Sequence, residues 1–259
     1  MHLRVDHSLP LRGWTVLSLR PRGQHDGLRA AAARHGARTL ALSPHAIERL
    51  AGATTREALR QALAADIVVF TSPIAVRSAA ALQDVSPRRS QPVLAVGSAT
   101  RASLRRLGIE AQAPARMDSE GLLAMPALVD VGGRTVGLVT GAGGRNLVAP
   151  AMRRRGAELV RADTYRRVPV ALPMRAQSAL AEALASPARL LLVLSSAEAL
   201  LGLLAQLDPS VRKRLSAIAV VAASERLTEA ARDAGFRRIA IAASARSGAL
   251  LNAAADAFV

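Results

Sequence analysis

The feature that most constrains this chain is an internal repeat of strand–turn–helix units along its 259 residues. Gly13-Trp-Thr-Val16 opens one unit, whose helix should end near His35-Gly36. Gly133-Arg-Thr-Val136, 120 positions on, opens another of the same kind, with its helix ending near Arg155-Gly156. The apolar run Ile67-Val-Val-Phe70 leads into Thr71-Ser72 and an alanine-rich helix. Leu190-Leu-Leu-Val-Leu194, displaced by about the same interval, leads into Ser195-Ser196 and a leucine-rich one. Val93-Leu-Ala-Val-Gly97 and Ala217-Ile-Ala-Val-Val221 form a third pair. The helices expected from Ser119 and from Ser247 form a fourth.

Short apolar runs alternating with helices imply an α/β fold with parallel sheets covered on both faces. Such sheets bind ligands beyond the carboxyl ends of their strands. The candidate positions therefore follow each run. They are Arg20, Thr71 and Ser72, Gly97, Ser98 and Thr100, Arg145, Ser195 and Ser196, and Ser224.

Apolar residues make up 51% of the chain and aromatics only 2%, so the cores are built from aliphatic side chains on buried strands. With no cysteine there is no disulfide and no thiolate metal site. The N-terminal residues lack an apolar stretch of signal-peptide length. Residues 190–207 are the longest apolar stretch, but Ser195, Ser196 and Glu198 interrupt it. An acid at mid-membrane costs roughly 2.5–3.5 kcal/mol, so a buried strand and a capped helix are expected instead. The net charge of +16 suits a polyanionic small molecule. A nucleic-acid partner is not expected, because one Trp, one Tyr and three Phe leave little for base stacking.

Ser and Thr after strands are ordinary helix caps when taken one at a time. Their recurrence suggests more: several helix N-termini with free N–H groups make a receptor for carboxylates. Gly141-Ala-Gly143-Gly144 reads as a strand-to-helix turn, without the Lys-Ser/Thr of a phosphate loop or the third glycine of a dinucleotide loop. His2, His7, His25, His35 and His45 have no metal-ligand spacing and are expected on the surface, so no metal is expected. Tyr165, the single tyrosine, is expected at a strand end before Pro169. It is either a packing residue or a phenol able to give a proton. No Ser-His-Asp or paired-carboxylate set is evident.

In order along the chain, these segments resemble the uroporphyrinogen-III synthase family from about Gly13 to the end. The carrying residues are Leu19-Arg20-Pro21, Phe70-Thr-Ser-Pro73, Ala95-Val-Gly97 with Thr100, and Ser119-Glu-Gly-Leu-Leu123. Gly141-Ala-Gly-Gly-Arg145, Gly156-Ala157 leading to Tyr165-Arg-Arg167, and Ser195-Ser196 complete the set. One departure stands out: Val221-Ala-Ala-Ser224 replaces a turn that in the family carries Gly and Thr.

The resemblance implies two flavodoxin-like, doubly wound α/β domains joined by a two-stranded linker. One domain would comprise residues 1–38 and 171–259, and the other residues 45–163, with crossings at 39–44 and 164–170. It implies a cofactor-free lyase acting on hydroxymethylbilane, a linear tetrapyrrole, to give uroporphyrinogen III. Tyr165 would assist loss of the hydroxyl, and the strand-end residues above would hold the carboxylates. A cytoplasmic monomer is expected, off the membrane, with transient contact to hydroxymethylbilane synthase. The alternative on the same scaffold is a non-catalytic binder or regulator sensing an anionic metabolite.

Overall fold

A computed structural model describes residues 9–116, 119–143 and 147–259. In chain order the first elements are β1 (Thr15–Ser18), α1 (Asp26–Arg34), β2 (Arg38–Ala41), β3 (His45–Arg49), α2 (Ala53–Leu63), β4 (Ile67–Phe70) and α3 (Pro73–Leu82). There follow β5 (Val93–Ala95), α4 (Ser98–Arg105), α5 (Ser119–Leu123), α6 (Pro126–Val129), β6 (Thr135–Ala142), α7 (Val148–Arg154) and β7 (Glu158–Pro169). The last are α8 (Met174–Ala183), β8 (Leu190–Leu194), α9 (Ala197–Leu204), α10 (Pro209–Leu215), β9 (Ala219–Ala222), α11 (Glu225–Asp233), β10 (Arg238–Ile241) and α12 (Ser247–Phe258).

The chain divides into two units, Met1–Ala46 with Val168–Val259, and Ile47–Arg167. In the first unit the sheet order is β10-β9-β8-β1-β2, and every pairing is parallel. Its strands alternate between two cores, as the two-residue strand period requires. Val16, Leu191, Val193, Ala219 and Val221 pack with α1 and α12 residues such as Leu28 and Leu250. Leu17, Leu192, Leu194, Val220 and Ala222 pack on the other face with Leu180, Leu200 and Leu227.

In the second unit the order is β3-β7-β6-β4-β5, with β4 parallel to β5 and β6, and β6 parallel to β7. Val68, Phe70 and Val139 face one core with α2 and α3 residues; Ile67, Val69, Val136 and Leu138 face the other. Continuous apolar strands are what burial on both faces demands.

Each sheet has a point where the direction of winding reverses. In the first unit it lies between β1 and β8, and in the second between β4 and β6. The helices flanking such a point splay to opposite faces and leave a crevice at the strand ends. Among the described residues no helix is long and apolar enough to cross a membrane.

Candidate functional site

In the second unit the reversal point gathers hydroxyls. β4 ends at Phe70, and Ser72 takes extended backbone as the cap of α3, with Pro73 at its first helical position. The Ser72 Oγ accepts from the Ala75 N–H at 3.0 Å, so the ordinary capping role is filled. That same oxygen lies 3.1 Å from the Tyr165 hydroxyl, and either group can be the donor. Beside them the Thr71 Oγ1 donates to the Thr140 Oγ1 at 2.8 Å, tying β4 to β6.

Tyr165 does not stand at a strand end. β7 continues to Pro169, and the register with β6 shifts between Thr140 and Gly141, so that Thr140 pairs with Asp163 and Gly141 with Tyr165. Thr164 is the extra residue of this bulge. It is buried, and its Oγ1 donates to the Thr140 carbonyl at 3.1 Å. An extra residue re-aims the side chains beyond it. Ala162 and Tyr165, three positions apart, therefore share one core face, which strict alternation forbids. Tyr165 is 3% exposed. It lies against Gly141, where a Cβ would come within 2.4 Å of the Tyr165 Cζ. The Arg167 guanidinium sits 5.9 Å from the ring centroid, within reach of a cation–π attraction.

The glycine-rich segment thus differs from its expected form. Gly141 and Ala142 are strand residues of β6, because strand continuation leaves room for the tyrosine; only Gly143, with φ 76°, turns the chain. Gly144 and Arg145 lie outside the described residues. On the neighbouring strand Gly97 caps α4 with extended backbone, and Ser98 is its half-buried first residue. Thr100 is buried within α4 rather than presented at its start.

In the first unit the reversal point brings Arg20, after β1, beside the turn after β8. Arg20 is half-buried, and its Nη2 donates to the Ser247 Oγ at the start of α12, at 3.0 Å. No carboxylate pairs with it among the described residues, and burial draws its pKa below the ordinary guanidinium value. Ser195 is exposed. Ser196 caps α9, accepting from the Ala199 N–H at 3.2 Å. Ser224 occupies the cap position of α11 with its side chain uncommitted to the helix.

Two histidines expected on the surface are buried instead, His25 between Ser18 and Ser43 and His45 against α9. His25 is 4% exposed, with Nδ1 at 2.8 Å from the Ser18 Oγ and Nε2 at 2.8 Å from the Ser43 Oγ. Its pKa is pushed below the ordinary value by burial first, then by the Arg29 and Arg20 charges, with Asp26 opposing. His45 is buried near Gly202 and stands 3.9 Å from a Glu198 oxygen. Composition and spacing carry no sign of either burial. Thr140, Thr164 and Ser247 also join these sites; Thr140 opens the strand-end segment that runs to Arg145, and Ser247 was marked by the repeat, whereas Thr164 carried no such signal. Among the described residues no three His, Asp or Glu side chains cluster as metal ligands.

A protein-family model described as uroporphyrinogen-III synthase HemD matches residues 26–252. Among solved structures, a mutant uroporphyrinogen III synthase from the extremely thermophilic bacterium Thermus thermophilus superposes with a TM-score of 0.61 at 21% identity, covering 94% of this chain and 98% of that one. The uroporphyrinogen-III synthetase of Helicobacter pylori gives a TM-score of 0.62 at 14% identity, with the same coverage. These likenesses share the two-domain α/β fold, and the family match spans most of the sequence. The chain belongs to the uroporphyrinogen-III synthase family.

Proposed function

We propose that the family's reaction is carried out here with Tyr165 as the proton donor and the strand-end turns as the receptor for substrate carboxylates. The reaction is the cyclising dehydration of hydroxymethylbilane, with inversion of the terminal pyrrole, to give uroporphyrinogen III. The observation that carries the assignment of roles is the Tyr165 hydroxyl, 3.1 Å from the Ser72 Oγ at the winding reversal of its sheet.

The substrate's hydroxyl is a poor leaving group, and its departure as water needs a proton. The group of Tyr165 that can give a proton is its hydroxyl. Ser72 holds it in place, and Gly141 leaves space for the ring. Loss of water leaves an electrophilic azafulvene, which the substituted carbon of the last pyrrole attacks. The resulting spiro intermediate fragments and recloses with that ring inverted. Atoms balance with one water released. Holding the bilane in the productive geometry supplies the remainder of the catalysis.

The carboxylates are received by Arg20, Thr71, Ser72, Gly97, Ser98, Arg145, Ser195, Ser196 and Ser224, while Thr100, buried within α4, packs rather than binds. Supporting this reading are Arg20, which no carboxylate neutralises among the described residues, and the helix N-termini at Ser72, Gly97, Ser196 and Ser224, which attract anions. The net charge of +16 draws the same substrate. The crossings at residues 39–44 and 164–170 act as the hinge between domains 1–38 plus 171–259 and 45–163. A cytoplasmic monomer that meets hydroxymethylbilane synthase transiently completes the proposal.

The test is a coupled assay in which hydroxymethylbilane is generated in situ and the porphyrin isomers are separated after oxidation. A dominant type III isomer is expected. Type I alone, the product of unassisted closure, would overturn the catalytic reading.

A further inference from the structure

We propose that a basic pocket at the amino-terminal ends of β4, β5 and β6 binds a small phosphate-class oxyanion. The pocket is a shallow depression of about 290 Å³, open to solvent and lined by Asp66, Arg88, Arg89, Ser90, Gln91 and Arg134, of which Asp66, Arg88, Arg89 and Ser90 are exposed. Asp66 immediately precedes β4 and Arg134 precedes β6, whereas Thr71, Thr140 and Tyr165 lie at the other end of these strands. The pocket is thus separate from the reaction site and does not depend on it.

Its charge is uncompensated. Three guanidiniums face one carboxylate, and that carboxylate is already engaged. The Asp66 Oδ2 accepts from the Thr135 N–H and from the Thr135 Oγ1, each at 2.8 Å. These bonds, the backbone one foremost, hold Asp66 below the usual carboxylate range and keep it ionised. Arg88 is fixed in place: its Nη2 donates to the Ala64 carbonyl at 2.8 Å and the Ala65 carbonyl at 3.1 Å, at the end of α2. Arg89 and Arg134 donate to no protein acceptor among the described residues, so their forks are open to a ligand.

The turn presenting Arg89 is held against a local cost. Gln91 N–H donates to the Arg88 carbonyl at 3.0 Å, closing a tight turn. Ser90, within it, has φ 67°, the only non-glycine residue in the left-handed region among those described. Glycine or asparagine is favoured there. Backbone strain of this kind persists where the surroundings impose it, and it concentrates at ligand clamps. Several guanidiniums around an open depression suit a phosphate, with two charges shared over three oxygens, better than a single carboxylate. The volume leaves room for a substituent, so inorganic phosphate and a phosphate monoester are both candidates.

The test titrates the full-length chain with inorganic phosphate, and separately with glycerol 3-phosphate, at constant ionic strength set with chloride. Binding is followed by the thermal midpoint and by calorimetry. Saturable binding of either probe, weakened about tenfold by Arg134→Gln and again by Arg89→Gln, is expected from losing charge-assisted hydrogen bonds. Ser90→Gly relieves the turn and keeps both arginines, so it should retain binding and serves as the folding control. No shift beyond that of chloride, or equal binding by wild type and the double arginine variant, would overturn the proposal. Preference for the monoester identifies the ligand as an organic phosphate; equal affinity identifies free phosphate as sufficient.

Discussion

Gly141 and Tyr165 are cross-strand partners, and a single methyl on the glycine would intrude to within 2.4 Å of the tyrosine Cζ. The bulge at Thr164 brings the ring to this face, and the missing side chain at 141 admits it. The position of the one tyrosine hydroxyl in the chain rests on that pair.

Gly141→Ala should therefore displace the ring or its strand. Overpacking a filled core costs about 1–3 kcal/mol, which urea denaturation will read as a lower midpoint. Turnover should fall with it, because the hydroxyl leaves its place beside Ser72. Gly52→Ala, where nothing lies within 4 Å and φ is −68°, should leave the Tyr165 hydroxyl where it is.

Tyr165→Phe keeps the ring and removes the proton. Turnover should drop by about 10²–10⁴, the usual contribution of a positioned acid. KM should change little, and the loss in stability should be about 1 kcal/mol, that of one hydrogen bond. The isomer assay checks the first and denaturation the second. A variant with the parent turnover would remove Tyr165 from the mechanism.

Arg20→Gln tests the anion receptor from the other unit. Losing one charge-assisted contact to a carboxylate should raise KM about tenfold and leave kcat largely unchanged. The effect should shrink as salt is added, since screening weakens the parent's advantage.

His25 makes stability depend on pH. Its folded pKa lies below the ordinary 6.5, so the unfolded chain binds the proton more readily. Stability should be at its full value above about 6.5, and should fall as pH drops from there toward the folded pKa. Protonation places a third cation beside Arg20 and Arg29 and forces both hydroxyl partners to accept. Urea midpoints measured from pH 8 to 5 should decline more steeply for the parent than for His25→Gln, which has no proton to take up.

Much of the fold was legible in the chain. The runs at 67–70 and 190–194 are apolar throughout because both faces of a parallel strand are buried, and they became β4 and β8. Ser72 and Ser196 announced the helices they cap, because capping is a local bond between a side chain and an N–H three positions on. The placement of Arg20 after its strand followed from the same alternation. These features depend on neighbours within a few residues, and sequence patterns record such neighbours directly.

Tertiary structure alone decided the rest. The Thr164 bulge depends on the register between β6 and β7, so alternation along one strand cannot reveal it. His25 looked like any polar residue of a connection, yet its burial is set by Ser18 and Ser43, which only the pairing of β1 with β2 brings to either side. Gly141 read as part of a turn because a glycine's need for space comes from the group opposite it, here a tyrosine on another strand. The sequence by itself determined which segments are strands and helices and which residues stand at the turns between them. Which hydroxyls touch, and which charges stay unpaired, was decided by strand order and register, because those contacts join residues far apart in the chain.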